Sequence, residues 1–348
     1  MLQQTRVKTA AAYWQRWMRA LPDVRAFARA RSPQVHKLWE GLGYYARVRN
    51  AHAAARLIVE KHGGEFPKNF AAVLALPGVG LYTAGAVCSI AYQQPAPALD
   101  GNMMRVLSRI FGVPGDPRGK AANARLWALA RELVFLADAP NRGRLNEALM
   151  ELGALVCAPR QPNCPACPLR RVCFARRQDR VGEFPRLKAP RRATRRRFLA
   201  FIVQRNGCFL ARRRPDGGVN ARLWEFPNVE IAPGEKNLAS AAAPFVLTGA
   251  APLRRVRHSI TRYRIVLEAY RVQLPGRAAE GALPGVWRTP AQMERLAFTG
   301  AHRKILVALQ NEIKVEKQGV HDATNGAPGA RDTRAKLLAP ARVCDTVI

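Results

Sequence analysis

Carboxylates are scarce in this 348-residue chain. Asp and Glu number 24 against 57 Lys and Arg, leaving a formal net charge of +33. An imbalance that large describes partners more than fold. It puts nucleic acid first, because neutralising phosphates drives such association, although a GC-rich coding sequence that favours Arg over Lys accounts for part of it. Long apolar runs are missing as well. No stretch reaches the roughly 18 residues of a membrane span, and no charged segment followed by an apolar core opens the chain as in a secretory signal. Neither the membrane nor the secretory route is expected. Seven cysteines are present, but not as a disulfide framework. Cys157, Cys164, Cys167 and Cys173 crowd into one segment, while Cys88, Cys208 and Cys344 lie apart. That distribution suits a metal site in a reducing, cytoplasmic compartment.

Hydrophobic residues make up 48% of the chain, enough for two domains with cores of their own. Up to about residue 156 the apolar positions recur at helical steps. Ala10, Trp14, Trp17, Met18 and Leu21 form one face, and Leu126, Leu129, Ala130, Leu133 and Val134 another. Beyond the basic stretch RRQDRVGEFPRLKAPRRATRRR the period shortens. RFLAFIVQRNGCFLARR holds two strand-like runs around Asn206-Gly207, a hairpin signal. RYRIVLEAYRVQL is a further strand and AHRKILVALQNEI a closing helix. The chain thus divides into a helical domain at 1–99, a second helical lobe at 100–175, a basic linker at 176–196, a smaller α+β domain at 197–313 and a tail at 314–348. The linker reads either as a phosphate contact or as a solvated tether. The tail, rich in Gly, Ala, Pro and charge, reads as disordered.

The crowded cysteines have the spacing C-x6-C-x2-C-x5-C, four thiols within 17 positions. Iron–sulfur and zinc both fit four thiolates. Zinc sites usually pair two C-x2-C knuckles, and only one is present, so the uneven spacing favours a [4Fe–4S] cluster. With every ligand supplied by protein, such a cluster is structural or redox-sensing rather than catalytic. Arg160, Arg170 and Arg171 would present positive charge beside it. Upstream, LPGVG precedes a helical run, and Gly78 and Gly80 permit a turn whose backbone N–H groups hold a phosphate. Twenty residues beyond Gly80 lies Asp100, in LDGNMMRVLSRIFG. An Asp at a helix start is most simply an N-cap.

Together, L-P-G-V-G-x-[YK]-T-A, L-D-G-N-x-x-R-V and the cysteine pattern resemble the helix–hairpin–helix DNA glycosylases with an iron–sulfur loop. MLQQT, LWEGLGYYARVRN, HGGEFP, LPGVGLYTAGAV, LDGN and NEALMELGALVC narrow the resemblance to MutY-type adenine DNA glycosylases, over nearly all of the chain to residue 313. The resemblance implies a mainly α N-terminal region, with the helix–hairpin–helix glycosylase fold and a [4Fe–4S] lobe, followed by a C-terminal α+β Nudix-like domain. It implies a monomer, in the bacterial cytoplasm at the nucleoid, that hydrolyses the N-glycosidic bond of adenine mispaired with 8-oxoguanine or guanine in double-stranded DNA.

Breaking that bond calls for an acid to protonate the departing base and a carboxylate to stabilise the oxocarbenium-like sugar, with the target flipped from the duplex. By resemblance Asp100 is that carboxylate, with transient covalent attack as one route. Tyr82 stands where endonuclease III-like lyases carry a Schiff-base Lys, so a monofunctional enzyme is expected, with the tyrosine lining the sugar pocket. Glu147 would contact the extruded adenine, Gln4 would wedge into the vacated gap, and Tyr44 would intercalate beside 8-oxoguanine. Leu2 and Thr5 would line the pocket or touch the duplex. Read without the family, Tyr44 packs in the core with Tyr45, and Gln4 is an ordinary helix-surface residue.

In the Nudix-like domain, LWEFPN and VRHSITRYRI carry the resemblance, but no R-E-x-x-E-E helix is present to hold Mg²⁺. PGEKNLASAAAPF lies where it would be, so recognition without hydrolysis is expected. Many relatives have Phe-Ser-His in the lesion-sensing loop. Here Ile260, Thr261 and Arg262 replace them, and only the hydroxyl survives, in Thr261. The family's general acid is a Glu two positions before the Met of MLQQT, where this chain starts. The expectation is either a start assigned within a longer reading frame or a truncated protein that binds the mispair without cutting it. Glu40 is not an expected substitute, and losing a positioned acid costs on the order of 10²–10⁴ in rate.

Overall fold

Helices dominate as far as Arg177 and strands follow from Thr194, as the change of hydrophobic period leads one to expect. The structure is a computed structural model and describes residues 1, 3, 5–189, 192–273 and 284–324. It divides into two compact units, Met1–Arg49 with Arg191–Ile348, and Asn50–Pro190. Among the described residues no helix is long and apolar enough to cross a membrane.

The first unit begins with α1 (Val7–Ala20), α2 (Val24–Arg29), α3 (Ser32–Leu38) and the start of α4 (Ala46–His62). Asp23 caps α2, accepting from Ala26 N at 2.7 Å, and Pro33 sits in the first turn of α3, where its missing N–H costs nothing. Trp17 meets Phe27 and Trp39 edge-on, with centroids 4.9 and 5.9 Å apart. The expected face of α1 is only partly buried: Ala10, Trp17 and Leu21 are, but Trp14 is 55% exposed. Its position on the stripe is right for helical period, yet it stays outside the core built around Trp17 and Leu21.

The second unit holds the remainder of α4, then α5 (Phe70–Leu74), α6 (Leu81–Ala86) with a wide π turn at Val87–Ala91, α7 (Gly101–Phe111), α8 (Lys120–Leu136), α9 (Arg142–Glu151) with a π turn at Leu152–Val156, and α10 (Phe174–Arg177). Asn69 caps α5 through Ala71 N and Ala72 N. The stripe of α8 packs as its spacing predicts: Leu126, Leu129, Ala130 and Val134 are buried, the first three in one core with Leu99, Met103, Val106, Leu107 and Leu149, with Leu133 at its margin. Gly112 ends α7 at φ 63°, a left-handed conformation that glycine adopts without steric cost. Within the basic stretch Phe184 is buried, edge-on to Phe174 at 5.9 Å.

Returning to the first unit, the strands β1 (Thr194–Arg205), β2 (Cys208–Arg213), β3 (Trp224–Glu225), β4 (Asn228–Ile231), β5 (Val246–Leu247), β6 (Arg254–Ile260), β7 (Tyr263–Gln273) and β8 (Val286–Arg288) form one mixed sheet. β1 runs parallel to β7 and antiparallel to β2 and β4. β7 also pairs with β5 and β6, and β2 with β3 and β8. Asn206 (φ 47°) and Gly207 (φ 74°) make the two-residue β1–β2 turn, the positive-φ pair that a tight hairpin requires. The other helices are α11 (Leu238–Ala242), α12 (Pro290–Glu294) and α13 (Gly300–Thr324). One sheet face, with Ala200, Ile202, Leu267 and Ala269, packs on Ile305, Leu306 and Leu309 of α13. The other, with Leu199, Phe201, Val203, Tyr270 and Val272, packs around Ala242 and Phe245. α13 runs past Ile313 to Thr324, so the first residues of the expected tail are helical.

The early helices belong to this unit because Trp17, Trp39, Tyr45 and Val48 share a core with Leu223 and Ala297. Glu40 fastens the arrangement. Its Oε1 accepts from Phe298 N and Arg303 Nε, each at 2.8 Å, and its Oε2 from Lys37 Nζ at 2.6 Å.

Candidate active site and cysteine centre

In the turn that opens α6, Leu76 O accepts from Val79 N at 3.0 Å. Gly78 has φ 77°, and a Cβ there would stand 2.5 Å from Asn50 Cβ, so glycine is required. Gly80 caps α6 in extended conformation with nothing within 4 Å of a Cβ, and its geometry makes no such demand. Tyr82 follows in the first turn of α6, partly exposed, its hydroxyl 3.9 Å from Met150 Sδ. Burial, and then the charge of Asp100, push its phenol upward. Tyr82 and Asp100 therefore share one neighbourhood.

Asp100 is the N-cap of α7, as its position in the sequence suggests. Oδ1 accepts from Met103 N at 2.7 Å and Oδ2 from Asn102 Nδ2 at 3.1 Å. The relay continues. Asn102 Oδ1 accepts from Arg105 Nη2 at 3.0 Å, and Arg105 donates to Gly153 O at 2.6 Å and Cys157 O at 2.8 Å. The carboxylate is thus tied, through two side chains, to the first residue of the cysteine segment. Glu147 is exposed on α9. Its neighbour Asn146, which sequence reasoning missed, is fully buried. Asn146 Oδ1 accepts from Ala98 N at 3.2 Å, while Nδ2 donates to Ala96 O at 3.0 Å and Ser89 Oγ at 2.8 Å. It holds the strand of chain that delivers Asp100.

Cys157, Cys164, Cys167 and Cys173 line one cavity and are all free thiols. Arg109, 3% exposed, serves as its wall. Its Nη1 donates to Cys157 Sγ at 3.2 Å and Ala158 O at 2.8 Å, Nη2 to Pro159 O at 3.1 Å, and Nε to Phe184 O at 2.9 Å. Burial, and then the other three cysteines, push the Cys164 thiol upward. Among the described residues no three His, Cys, Asp or Glu side chains converge tightly enough to hold one metal ion. The fit of an inorganic group rests on the donor set: four soft thiols around one cavity, with a buried guanidinium aimed at one sulfur. Arg160, Arg170 and Arg171 are exposed beside it.

In the first unit Tyr44 is 56% exposed at φ 47°, while Tyr45 is buried. The core-packing reading holds for Tyr45 and fails for Tyr44, whose backbone turns the ring outward. A positive φ on a bulky residue is an outlier of the kind found at functional sites. Arg47 lies over the Tyr44 ring at 5.6 Å and donates to Thr5 Oγ1 at 3.2 Å, Met1 O at 3.1 Å and Gln3 O. Leu2 and Gln4 lie outside the described residues. Thr261 is exposed at the β6–β7 turn with φ 50°, its hydroxyl on Ile260 O at 2.7 Å. α11 contains no carboxylate.

A family model described as HhH-GPD superfamily base excision DNA repair protein matches residues 1–132, and a NUDIX domain model matches residues 199–308. The mouse adenine DNA glycosylase is 32% identical, across 95% of this chain and 74% of its own length. The rat enzyme is 34% identical across 88% and 69%, and the human one 32% across 90% and 67%. Matches of that extent over both units place this chain in the MutY-type adenine DNA glycosylase family.

Proposed function

We propose that the chain is a monofunctional glycosylase that releases adenine opposite 8-oxoguanine or guanine in double-stranded DNA. The observation that carries this reading is Asp100, whose two oxygens are held by Met103 N and Asn102 Nδ2 beside Tyr82. As the glycosidic bond breaks, positive charge grows on the sugar. A fixed carboxylate stabilises it without reorganising at that moment. Tyr82 has no amine to form a Schiff base, so water adds its hydroxyl to the sugar carbon, its remaining proton ends on the released adenine, and the strand stays intact. Glu147 meets the extruded adenine. Gly78 and Gly80 hold a phosphate of the flipped strand. Leu2, Gln4, Thr5 and Tyr44 occupy the opened duplex, and Thr261 reads the opposing lesion. Glu40 is committed to Lys37, Arg303 and Phe298 N, so protonation of the base is not assigned to it.

Cys157, Cys164, Cys167 and Cys173 would hold a [4Fe–4S] cluster, which, with no iron open to substrate, fixes the loop or responds to redox change. Arg105 and Arg109 support that loop from α7, and Arg160, Arg170 and Arg171 add charge for DNA. The test is single-turnover adenine release, run beside gel-shift binding, on duplexes carrying A:8-oxoguanine, A:G and A:T. Release from the first two, with no adduct trapped by borohydride, is expected. Binding without release would overturn the enzymatic reading, and a trapped adduct the monofunctional one.

A further inference from the structure

An open cleft of about 790 Å³ lies on the sheet of the Nudix-like domain, on the face that also carries Leu199, Phe201 and Tyr270. Six arginines and a single carboxylate line it. The pairing registers explain the arrangement. On β1, Arg195 and Arg197 point to this face; on β7, Arg264, Val266 and Glu268 do; on β6, Arg255 and Arg257 do. The strands thus make two arginine rails on either side of a β7 floor. Arg195 and Arg257 stand on opposite rails, two strand spacings of about 4.8 Å apart and offset by two residues, about 6.6 Å, along β7.

The internal salt bridges do not use up this charge. Glu268, 2% exposed, is fully engaged by Arg197 at 2.8 Å and Arg255 at 2.7 Å, which fixes the closed end of both rails. Arg264 is held by Ser259 Oγ at 2.7 Å. Arg195 and Arg257 are exposed, and neither guanidinium makes a hydrogen bond or ion pair with the described residues. Arg195 and Arg264 are direct cross-strand neighbours, a like-charge pairing that weakens a sheet unless an anion joins it. A metal-dependent diphosphate site would need carboxylates at this face, and α11 supplies none. Planar, forked guanidiniums suit phosphate oxygens directly.

We infer that this cleft is a phosphate-backbone clamp, taking phosphates of one DNA strand between Arg195 and Arg257 with Arg264 on its floor. The proposal rests on the reading of the protein as a DNA enzyme, but it concerns affinity and not excision.

The test uses the full chain with its cluster and a short, fully matched fluorescent duplex, so that no excision takes part. For Arg195→Ala/Arg257→Ala, binding to the matched duplex weakens by roughly tenfold, and the plot of log K against log salt becomes shallower by about 1.8, at about 0.9 for each lost phosphate contact. The shift is the same on an A:8-oxoguanine duplex, and single-turnover release at saturating enzyme is unchanged. Arg195→Lys/Arg257→Lys retains the slope, which also shows that the site tolerates substitution. Arg213→Ala/Arg254→Ala, removing two arginines outside the cleft, leaves the slope nearly as it was. An unchanged slope in the first variant overturns the proposal, and so does an equal change in the control. A nucleoside triphosphate is the second arm. Arginine dependence of DNA binding, with or without that of the triphosphate, supports the clamp; dependence of the triphosphate alone overturns it. If the unaltered chain releases no adenine, the enzymatic reading falls while the slope comparison still decides this one.

Discussion

Replacing Asp100 separates the two jobs that its carboxylate can hold. As an N-cap, Asp100 accepts from Met103 N at 2.7 Å. As the proposed cation stabiliser, it needs its negative charge. Asn caps a helix about as well as Asp. In Asp100→Asn the amide oxygen keeps Met103 N, while the amide nitrogen faces the donor of Asn102, which is pinned in its turn by Arg105. The expected cost is one hydrogen bond, about 1 kcal/mol. Asp100→Ala loses that bond and the cap as well, about 2 kcal/mol altogether. Each kcal/mol lowers Tm by a few degrees for a unit of this size, so both variants stay folded at assay temperature. The charge reading gives the two variants the same catalytic loss, on the order of 10²–10³ or more, the size of a lost electrostatic stabiliser. The cap reading makes rate follow the local cap on Met103 N, with the asparagine variant near the parent and the alanine variant slow. Single-turnover adenine release, thermal melting and gel-shift binding on the same three proteins decide it. Release by Asp100→Asn within about tenfold of the parent rate, well short of the loss expected for a missing stabiliser, would refute the assignment of Asp100 to the sugar cation.

Tyr82→Lys, on α6 where the charge of Asp100 is felt, is expected to yield a borohydride-trapped DNA adduct that the parent does not, read by gel mobility. Arg105→Ala removes donors from Gly153 O and Cys157 O and should speed the loss of visible cluster absorbance under a chelator, while an unchanged rate would detach this arginine from the cysteine loop. Gly85→Ala puts a Cβ 1.8 Å from Pro97 O and should fail to fold or melt far lower, whereas Gly80→Ala, with open space around its Cβ, should melt within a degree or two. The last prediction concerns His302, which is buried, accepts from Phe226 N at 3.1 Å and is pushed down to about 4 chiefly by burial. The unfolded chain binds its proton below about 6.5 and the folded chain only near 4, so stability is intact above 6.5 and falls between those values, by about 3 kcal/mol. Burial pushes its neighbour Glu225 up, but His302 when protonated, Arg214 and Arg212 outweigh it, so the net shift is down and Glu225 also loses stabilisation in acid. Thermal melts of His302→Asn across this range should show a weaker pH dependence than the parent.

The features legible in the sequence are those coded locally. Asn206-Gly207 carries its own turn, the stripe of α8 its own buried face, and Asp100 its own cap, because each depends on residues a few positions away. Tyr44 and Tyr45 show where local code stops. Both are aromatic and adjacent, and which one enters the core is decided by the backbone at Gly43 (φ 69°) and Tyr44 (φ 47°), which no periodicity announces. Glu40 is the extreme case. Its partner Arg303 lies 263 positions away, so the residue that fastens the early helices to the Nudix-like domain looks, in sequence, like any surface glutamate. The relay from Asp100 is divided in the same way. Asn102 and Arg105 follow at steps that a helix start brings together, and that half is readable in LDGNMMR. The other half, the carbonyls of Gly153 and Cys157, is 48 and 52 positions from Arg105 and exists only once α7 packs beside the cysteine loop. The proposed catalytic group therefore takes its orientation from the helix it caps and its support from a loop that four thiols can tie down. A disturbance of that loop should be felt first as misorientation of Asp100, before the fold of the unit is lost.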